Sequence, residues 1–480
     1  VHTLSLFLIL IVLCNANVRI YQFFVVIIGL VSACYMPMAL TYGAPDFNAV
    51  VNIYQASVQE SGEFLKAIPW FYSLSILPGI LLTITALSAK IEKLKYRRCY
   101  VLIIIVYFCA PGIKSYFKYG NLSEFNIGLP IFKASNEAVE NYQQVLADQA
   151  LLRQQVAVVD SWDPKPRATA YQLYILVIGE SVRSDYLQAY GFKADNTAFI
   201  SSSFGIIFSN YISAASSTMT SLLNSLTLGR NGQHETNNNI ITLAKKSGFA
   251  TYWYSNQGLL GSGETPVSII AMNADKNIFL KKGDYQQDNY IPDSNMLAGI
   301  RDGINEKKPL KLMVIHLIGS HPRACTRTNN KYSFFSQSKE ISCYIESIHQ
   351  TDKLLSDIAE MAKASGERWS MMYFADHGLS FENSDTSYAR LHHDDRFKQN
   401  YTVPMFITAS DSHEHTVINQ PRSGLHFLSL FSQWTGIKDR LIDDTCDMLV
   451  NVRCENQDTV IKFNLERTAF SSLPEDVAAH

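Results

Sequence analysis

Apolar positions are distributed in two ways along this chain. Up to about residue 116 they run together. Residues 21–40 and 67–89 are each close to the roughly twenty apolar residues needed to cross a ~30 Å hydrocarbon core, and both predict spanning helices. Residues 4–13 form a thinner apolar run. Residues 99–112 close with Pro111 but complete a fourth crossing if they extend to Tyr116, with Lys114 snorkelling to the interface. Beyond Ala134 the pattern breaks into short segments. Residues 136–156 have helix-forming composition, and DSWDPKPR at 160–167 is a turn-rich joint. Then come apolar, β-branched runs at 173–178, 250–254, 312–317, 371–374 and 403–408, which predict buried strands. Helical patterns lie between them, including 217–228 and 344–364. Such alternation predicts an α/β domain with a largely parallel sheet. The expected organisation is a transmembrane helical domain over 1–116, a linker with a connector helix over 117–167, and a globular domain over 168–480.

Charge orients this arrangement. Before Lys90 the charged side chains are Arg19, Asp46, Glu60, Glu63 and Lys66, whereas Lys90, Lys93, Lys95, Arg97 and Arg98 cluster between two spans. Positive loops stay in the cytoplasm, so the acidic 43–66 loop falls on the opposite face and the last span delivers the globular domain outside. Glu60 and Glu63 either line a lipid-head-group entrance or are simply solvated. Four spans leave the N-terminus outside with no cleavable signal visible, which leads us to expect a further helix upstream of Val1. Cysteine usage agrees with an external domain. Cys14, Cys34, Cys99 and Cys109 lie in apolar stretches, while Cys325, Cys343, Cys446 and Cys454 lie in polar sequence and suggest disulfides formed in an oxidising compartment. A net charge of −2 gives no basic footprint for nucleic acid.

In α/β sheets the chemistry lies outside the carboxyl ends of the strands. Glu180, Asn256, His316 with His321, and Asp376 with His377 all follow strand candidates. Glu180, Asp376 and His377 supply oxygen and nitrogen ligands suited to Zn²⁺, or to Mn²⁺ or Mg²⁺ where oxygen dominates. The hydroxyl-rich stretch 213–221 opens a helix, where free NH groups favour an anionic phosphate. The alternative of equal weight is that Ser217 or Thr218 is an ordinary N-cap there. His316 satisfies a buried strand end or contacts a site, whereas His349 and His413 have no motif context and are expected at the surface.

The strings VIGESVRSDY at 177–186, YGF at 190–192, NYISAASST at 210–218, IHLIGSHP at 315–322, ADHG at 375–378 and LHH at 391–393 together resemble the phosphoethanolamine transferases of the alkaline phosphatase and sulfatase superfamily. The resemblance covers nearly the whole globular domain, and the helices and the 42–63 loop resemble the family's membrane part. It implies an α/β/α sandwich outside the inner membrane of a bacterium, in the periplasm, with zinc held by Glu180, Thr218, Asp376 and His377. Thr218 falls on the family's nucleophile. Asn256, His321 and His392 fall on substrate-side positions, with His393 one residue from the last. There are departures: no lysine follows Asn256 in Gln257-Gly258, and Ala214 stands where several relatives carry a cysteine. The cysteines that remain, Cys325 with Cys343 and Cys446 with Cys454, are close in sequence and form plausible local pairs, worth about 3 kcal/mol apiece in a chain-entropy treatment.

The implied reaction has two halves. Thr218 takes phosphoethanolamine from phosphatidylethanolamine and releases diacylglycerol. An acceptor then removes the group: lipid A, a lipopolysaccharide core sugar or a periplasmic glucan. The rival enzymes are a phosphoglycerol transferase, which would keep the threonine and the metal, and a sulfatase-like hydrolase. The superfamily's sulfatases use a Cys-x-Pro-x-Arg type motif, which residues 216–220 lack. The non-enzymatic alternative is a membrane-tethered binding protein with a decayed site.

Overall fold

The structure is a computed structural model and describes residues 2–42, 68–88, 99–101, 103, 159–165, 169–230, 233–258, 266–281, 291–384 and 386–479. The loop bearing Glu60 and Glu63, the basic loop 90–98, most of the 99–116 span and the 136–156 connector lie outside the described residues. The chain falls into two compact units, Val1–Ala147 and Asp148–His480.

In the first unit, helices His2–Ala16, Val18–Tyr42, Trp70–Ser73 and Ile76–Ser88 are described. Two stretches, Val18–Pro37 and Trp70–Ser88, are long and apolar enough to cross a membrane. Their outward positions are large and apolar, among them Phe23, Leu30, Leu81 and Leu82. They meet through small residues, Gly29 against Thr83 and Gly79 against Ala33, and the Tyr21 hydroxyl donates to the Ala86 carbonyl at 2.7 Å. Close backbone approach of this kind replaces the hydrophobic drive that lipid removes.

The second unit is built on a nine-stranded sheet. Its strands run in the order His415–Ile418, Gly205–Ile212, Thr402–Ala409, Trp369–Ala375, Leu173–Gly179, Lys311–His316, Ala250–Gly258 and Lys276–Lys281, and Arg422–Ser423 extends the pairing of Gly205–Ile212. All five expected strands are present. The three in the centre, Trp369–Ala375, Leu173–Gly179 and Lys311–His316, are buried at every position, as β-branched runs covered on both faces must be. Pairing is parallel except at Thr402–Ala409, which runs antiparallel to both of its neighbours. Register puts Phe374, Ile178, His316 and Ser255 on one face. There Phe374 packs on Phe427 of the helix Phe427–Thr435, with ring centroids 4.7 Å apart. Tyr254, one residue out of phase, meets Gly299 and Gly303 of the helix Leu297–Asn305 on the other face. Helices therefore cover both faces, and the expected α/β/α sandwich is the architecture found. Both expected disulfides are present, Cys325–Cys343 and Cys446–Cys454.

Candidate active site

Three strands deliver the site to one sheet edge. Leu173–Gly179 ends in Glu180, Trp369–Ala375 ends in Asp376 and His377, and Lys311–His316 runs into the loop that carries His321. Among the described residues, Glu180, Asp376 and His377 offer ligand atoms that all lie within 4.8 Å of one another, and all three side chains are buried. The turn after Glu180 is tightly built. Ser181 adopts φ 59°, an uncommon left-handed conformation for a residue with a side chain, and its surroundings hold it there. Its N–H donates to Asp376 Oδ1 at 2.9 Å, its hydroxyl to Glu180 Oε1 at 2.6 Å, and its carbonyl accepts from the Tyr344 hydroxyl at 2.8 Å. Gly319, at φ +43°, lies against this turn, where a Cβ would come within 3.1 Å of the Glu180 nitrogen.

Thr218 enters from the helix Thr218–Leu226. Its Oγ1 donates to Glu180 Oε2 at 3.0 Å and lies 3.2 Å from His377 Nε2. Ser217 occupies the N-cap position without a side-chain cap bond and donates to Thr220 Oγ1 instead. Neither hydroxyl is used as an ordinary cap, and the Thr218 contact sets the start of this helix beside the acidic cluster. His377 Nδ1 donates to the Gly378 carbonyl at 2.8 Å, which turns Nε2 toward the cluster.

The charges in this cluster are unbalanced. Burial works to lift the Glu180 carboxyl, but His377 and His321 hold it well below the usual carboxylate range. Burial and the Glu180 charge push Asp376 up to about 8. Burial would lower His377, yet Asp376 and Glu180 lift it to about 9. Asp376 Oδ1 accepts two backbone N–H bonds, while the equally buried Oδ2 has no hydrogen-bond partner among the described residues. Two buried carboxylates, an orphaned oxygen, an imidazole nitrogen that a cation would strip of its proton, and a hydroxyl fit a divalent cation that accepts mixed oxygen and nitrogen ligands.

The remaining expected residues divide. His321 borders the cluster: its ring centroid is 5.5 Å from that of His393, which is in turn 5.0 Å from His377. His392 faces elsewhere, with Nδ1 against the Ser380 carbonyl at 3.1 Å and Nε2 3.6 Å from Asp394. The expectation for His392 thus moves by one residue, because His392 ends the strand Arg390–His392 and is held by its pairing, whereas His393 has left the strand and turns inward. Burial and the nearby His377 and His321 keep His393 well below its ordinary pKa, so its ring is neutral. Asn256 also needs correction. It is fully buried, and its amide nitrogen donates to the Ile291 carbonyl and to Asp293 Oδ1. Asp293 accepts from the backbone of Ile318 and Gly319 at 3.0 Å each, so Asn256 supports the loop that carries His321. His316 is buried beside Trp253 and away from solvent, and His349 is half-buried with Nδ1 enclosed. His413 is exposed, as expected. Sequence reasoning missed Tyr344, which braces Ser181 and stands in no motif, and read Ser221 only as one hydroxyl of the 213–221 stretch, whereas it donates to the Asp376 carbonyl.

With this geometry in view, the comparisons are direct. The Sulfatase family profile matches residues 172–437. The phosphoethanolamine transferase OpgE of Escherichia coli K12 is 38% identical over 451 residues, covering 92% of this chain and 85% of its own. The periplasmic domain of Escherichia coli EptC, solved in complex with Zn, superposes with TM-score 0.56 at 18% identity over 66% of this chain and 97% of that one. The lipooligosaccharide phosphoethanolamine transferase EptA of Neisseria meningitidis, an integral membrane protein, does so with TM-score 0.59 at 14% identity over 89% and 87%. At such identities the likeness to these two structures is one of fold. The family match and the extent of the OpgE similarity carry the conclusion that this chain belongs to the phosphoethanolamine transferases of the alkaline phosphatase and sulfatase superfamily.

Proposed function

We propose that this protein transfers phosphoethanolamine from phosphatidylethanolamine to a glycolipid or glycan acceptor through a covalent adduct on Thr218. The observation that carries the reading is the Thr218 hydroxyl at a helix start, 3.0 Å from Glu180 and 3.2 Å from His377. Glu180, Asp376, His377 and Thr218 Oγ1 would hold Zn²⁺, which when bound favours the alkoxide of a ligated hydroxyl and offsets charge on phosphoryl oxygens. In the first half-reaction Thr218 Oγ1 forms a bond to phosphorus as the bond to the diacylglycerol oxygen breaks, and the Thr218 proton ends on that oxygen. In the second, an acceptor oxygen displaces Thr218 and its proton returns to the threonine. The helix start lies beside the phosphoryl position, and His393 and His321 orient the group by hydrogen bonds.

This reading places the apolar helices in a bacterial inner membrane and the second unit in the periplasm, with 1–116 as anchor, 117–167 as linker and 168–480 as catalytic domain. Lipid A, core sugars and periplasmic glucans are the acceptor classes it allows. To test it, the purified full chain is incubated with phosphatidylethanolamine and no acceptor, and its peptides are analysed by mass spectrometry. A phosphoethanolamine adduct on Thr218 is expected. An adduct formed only from phosphatidylglycerol would replace the reading with a phosphoglycerol transferase. Metal analysis should find zinc in the wild type and reduced occupancy in Asp376→Asn.

A further inference from the structure

Exposed aromatic side chains are rare in the second unit, and they are not scattered. Of the four among its described residues, three lie on one rim: Tyr332, Phe335 and Tyr388, with Phe335 and Tyr388 63% and 64% exposed. The rings of Tyr332 and Phe335 are 6.3 Å apart, whereas the intervening Phe334 turns inward onto the core. The 332–338 and 384–389 segments are joined by hydrogen bonds from Gln337 to the Ser384 carbonyl and from Ser338 to the Ala389 carbonyl. The rim is also close to the chemistry. Arg390–His392 leads from Tyr388 directly to His393, and the Cys325–Cys343 disulfide ties the segment that follows His321 to the helix Lys339–Ala364, which begins where the 332–338 segment ends. Lys331 and Lys339 flank the aromatics and are exposed, and the nearby Glu346 carboxylate is bonded to the Ser333 backbone and hydroxyl.

We propose that Tyr332, Phe335 and Tyr388, with Lys331 and Lys339, form a surface that docks on a phospholipid bilayer and brings the catalytic edge to a donor lipid held there. Amphipathic aromatic rings are stable at head-group depth, and lysines beside them are drawn to anionic head groups. The same chain carries two stretches fit to cross a membrane, so a bilayer is always within tether range. A glycan could stack on such rings, but the flanking cations complement a phosphate-covered surface better than a neutral sugar.

The inference rests on the proposed lipid-donor reaction, and its test separates the two. Full-length wild type and a Phe335→Asp, Tyr388→Asp double variant are reconstituted in vesicles of phosphatidylethanolamine and phosphatidylglycerol, and formation of the Thr218 adduct is timed. The same proteins in detergent receive dihexanoyl phosphatidylethanolamine as a dissolved monomer. The variant should lose at least fivefold in rate with the bilayer-held donor and less than twofold with the dissolved one. Equal losses on both donors, no loss on either, or intact adduct formation with lost transfer to a glycan would each overturn the proposal. Separately, Phe335→Trp in vesicles containing brominated phosphatidylcholine should show emission quenched beyond the wild-type background. Unquenched added emission overturns the docking surface even where the donor chemistry holds. Wild type that forms no adduct from either donor overturns the reaction, while the quenching result still decides the surface.

Discussion

Arg183 is fully buried three residues after Glu180, and its stabilisation is a test of how the site's scaffold is held. Its guanidinium meets Asp185 through Nε and Nη2 at 2.9 and 2.7 Å, Asp476 through Nη1 at 2.9 Å and the Val477 carbonyl at 2.8 Å. Asp476 Oδ2 also accepts the Phe381 N–H at 2.8 Å. In Asp476→Asn the side-chain oxygen can still accept both bonds, but the charge is gone. A hydrogen bond to a charged group contributes about 1.5–3 kcal/mol, so the loss should be about 2 kcal/mol. Asp476→Ala leaves a guanidinium N–H and a backbone N–H without an acceptor. Its cost should rise to about 3–5 kcal/mol, short of an isolated buried charge because Asp185 remains. For a unit of this size 1 kcal/mol corresponds to roughly 2 °C. At a fixed scan rate, thermal unfolding of the zinc-loaded full chain should therefore fall by about 4 °C for the asparagine and about 6–10 °C for the alanine variant. An alanine variant within 1 °C of wild type would refute the idea that this tail contact holds the Arg183 segment in place.

Other outcomes follow from the same geometry. Thr218→Ala should abolish adduct formation and transfer by at least about a thousandfold while zinc content stays near wild type, since three protein ligands remain; unimpaired turnover would assign the nucleophile elsewhere. His393→Asn should lower transfer more than tenfold and His392→Asn less than threefold, read as initial rates with one donor; the reverse order would contradict the ring placement. Replacing Cys325 and Cys343 together by serine should cost about 3 kcal/mol in urea unfolding under oxidising conditions, and under reductant, which opens Cys446–Cys454 in both, wild type and the double variant should unfold together. Burial lowers His316 to about 4, so the folded state stays neutral there while the unfolded chain takes up a proton near 6.5. Stability is complete above about pH 6.5 and should fall by about 3 kcal/mol as pH drops to 4. Unfolding of His316→Gln across that window would lack this part of the slope.

Much of this was readable before any coordinates, for a physical reason. Strands covered on both faces must be continuous apolar runs, and ligands at their carboxyl ends interrupt those runs at once, so Glu180 and the Asp376-His377 pair stand out as polar residues directly after apolar ones. Gly205–Ile212 was not legible as a strand because it sits nearer the sheet edge, with Ser209 and Asn210 partly exposed. The His392-His393 doublet carries no mark of which ring points inward; that is decided by where the short pairing with Ser380–Glu382 ends. The resemblance puts Asn256 on a substrate-side position, and nothing in Tyr254-Ser255-Asn256-Gln257 marks the Asp293 loop that folds over it. The bond between Arg183 and Asp476 spans 293 positions, and no local pattern encodes such a partner.

The reversed strand Thr402–Ala409 has a consequence for how this enzyme can diversify. Because it runs antiparallel to Trp369–Ala375, the chain between them leaves and re-enters the sheet on the same edge, and the Gly378 N–H closes the gap by donating to the Asn400 carbonyl at 2.8 Å. A parallel successor would have required a crossover past the core. The excursion can therefore lengthen, shorten or be exchanged beyond the paired Ser380–Glu382 and Arg390–His392, between residues 383 and 389, without moving a sheet register or a residue of the acidic cluster. Selection for a new acceptor or a different envelope can act on that tip as on an interchangeable attachment, with the catalytic edge inherited intact.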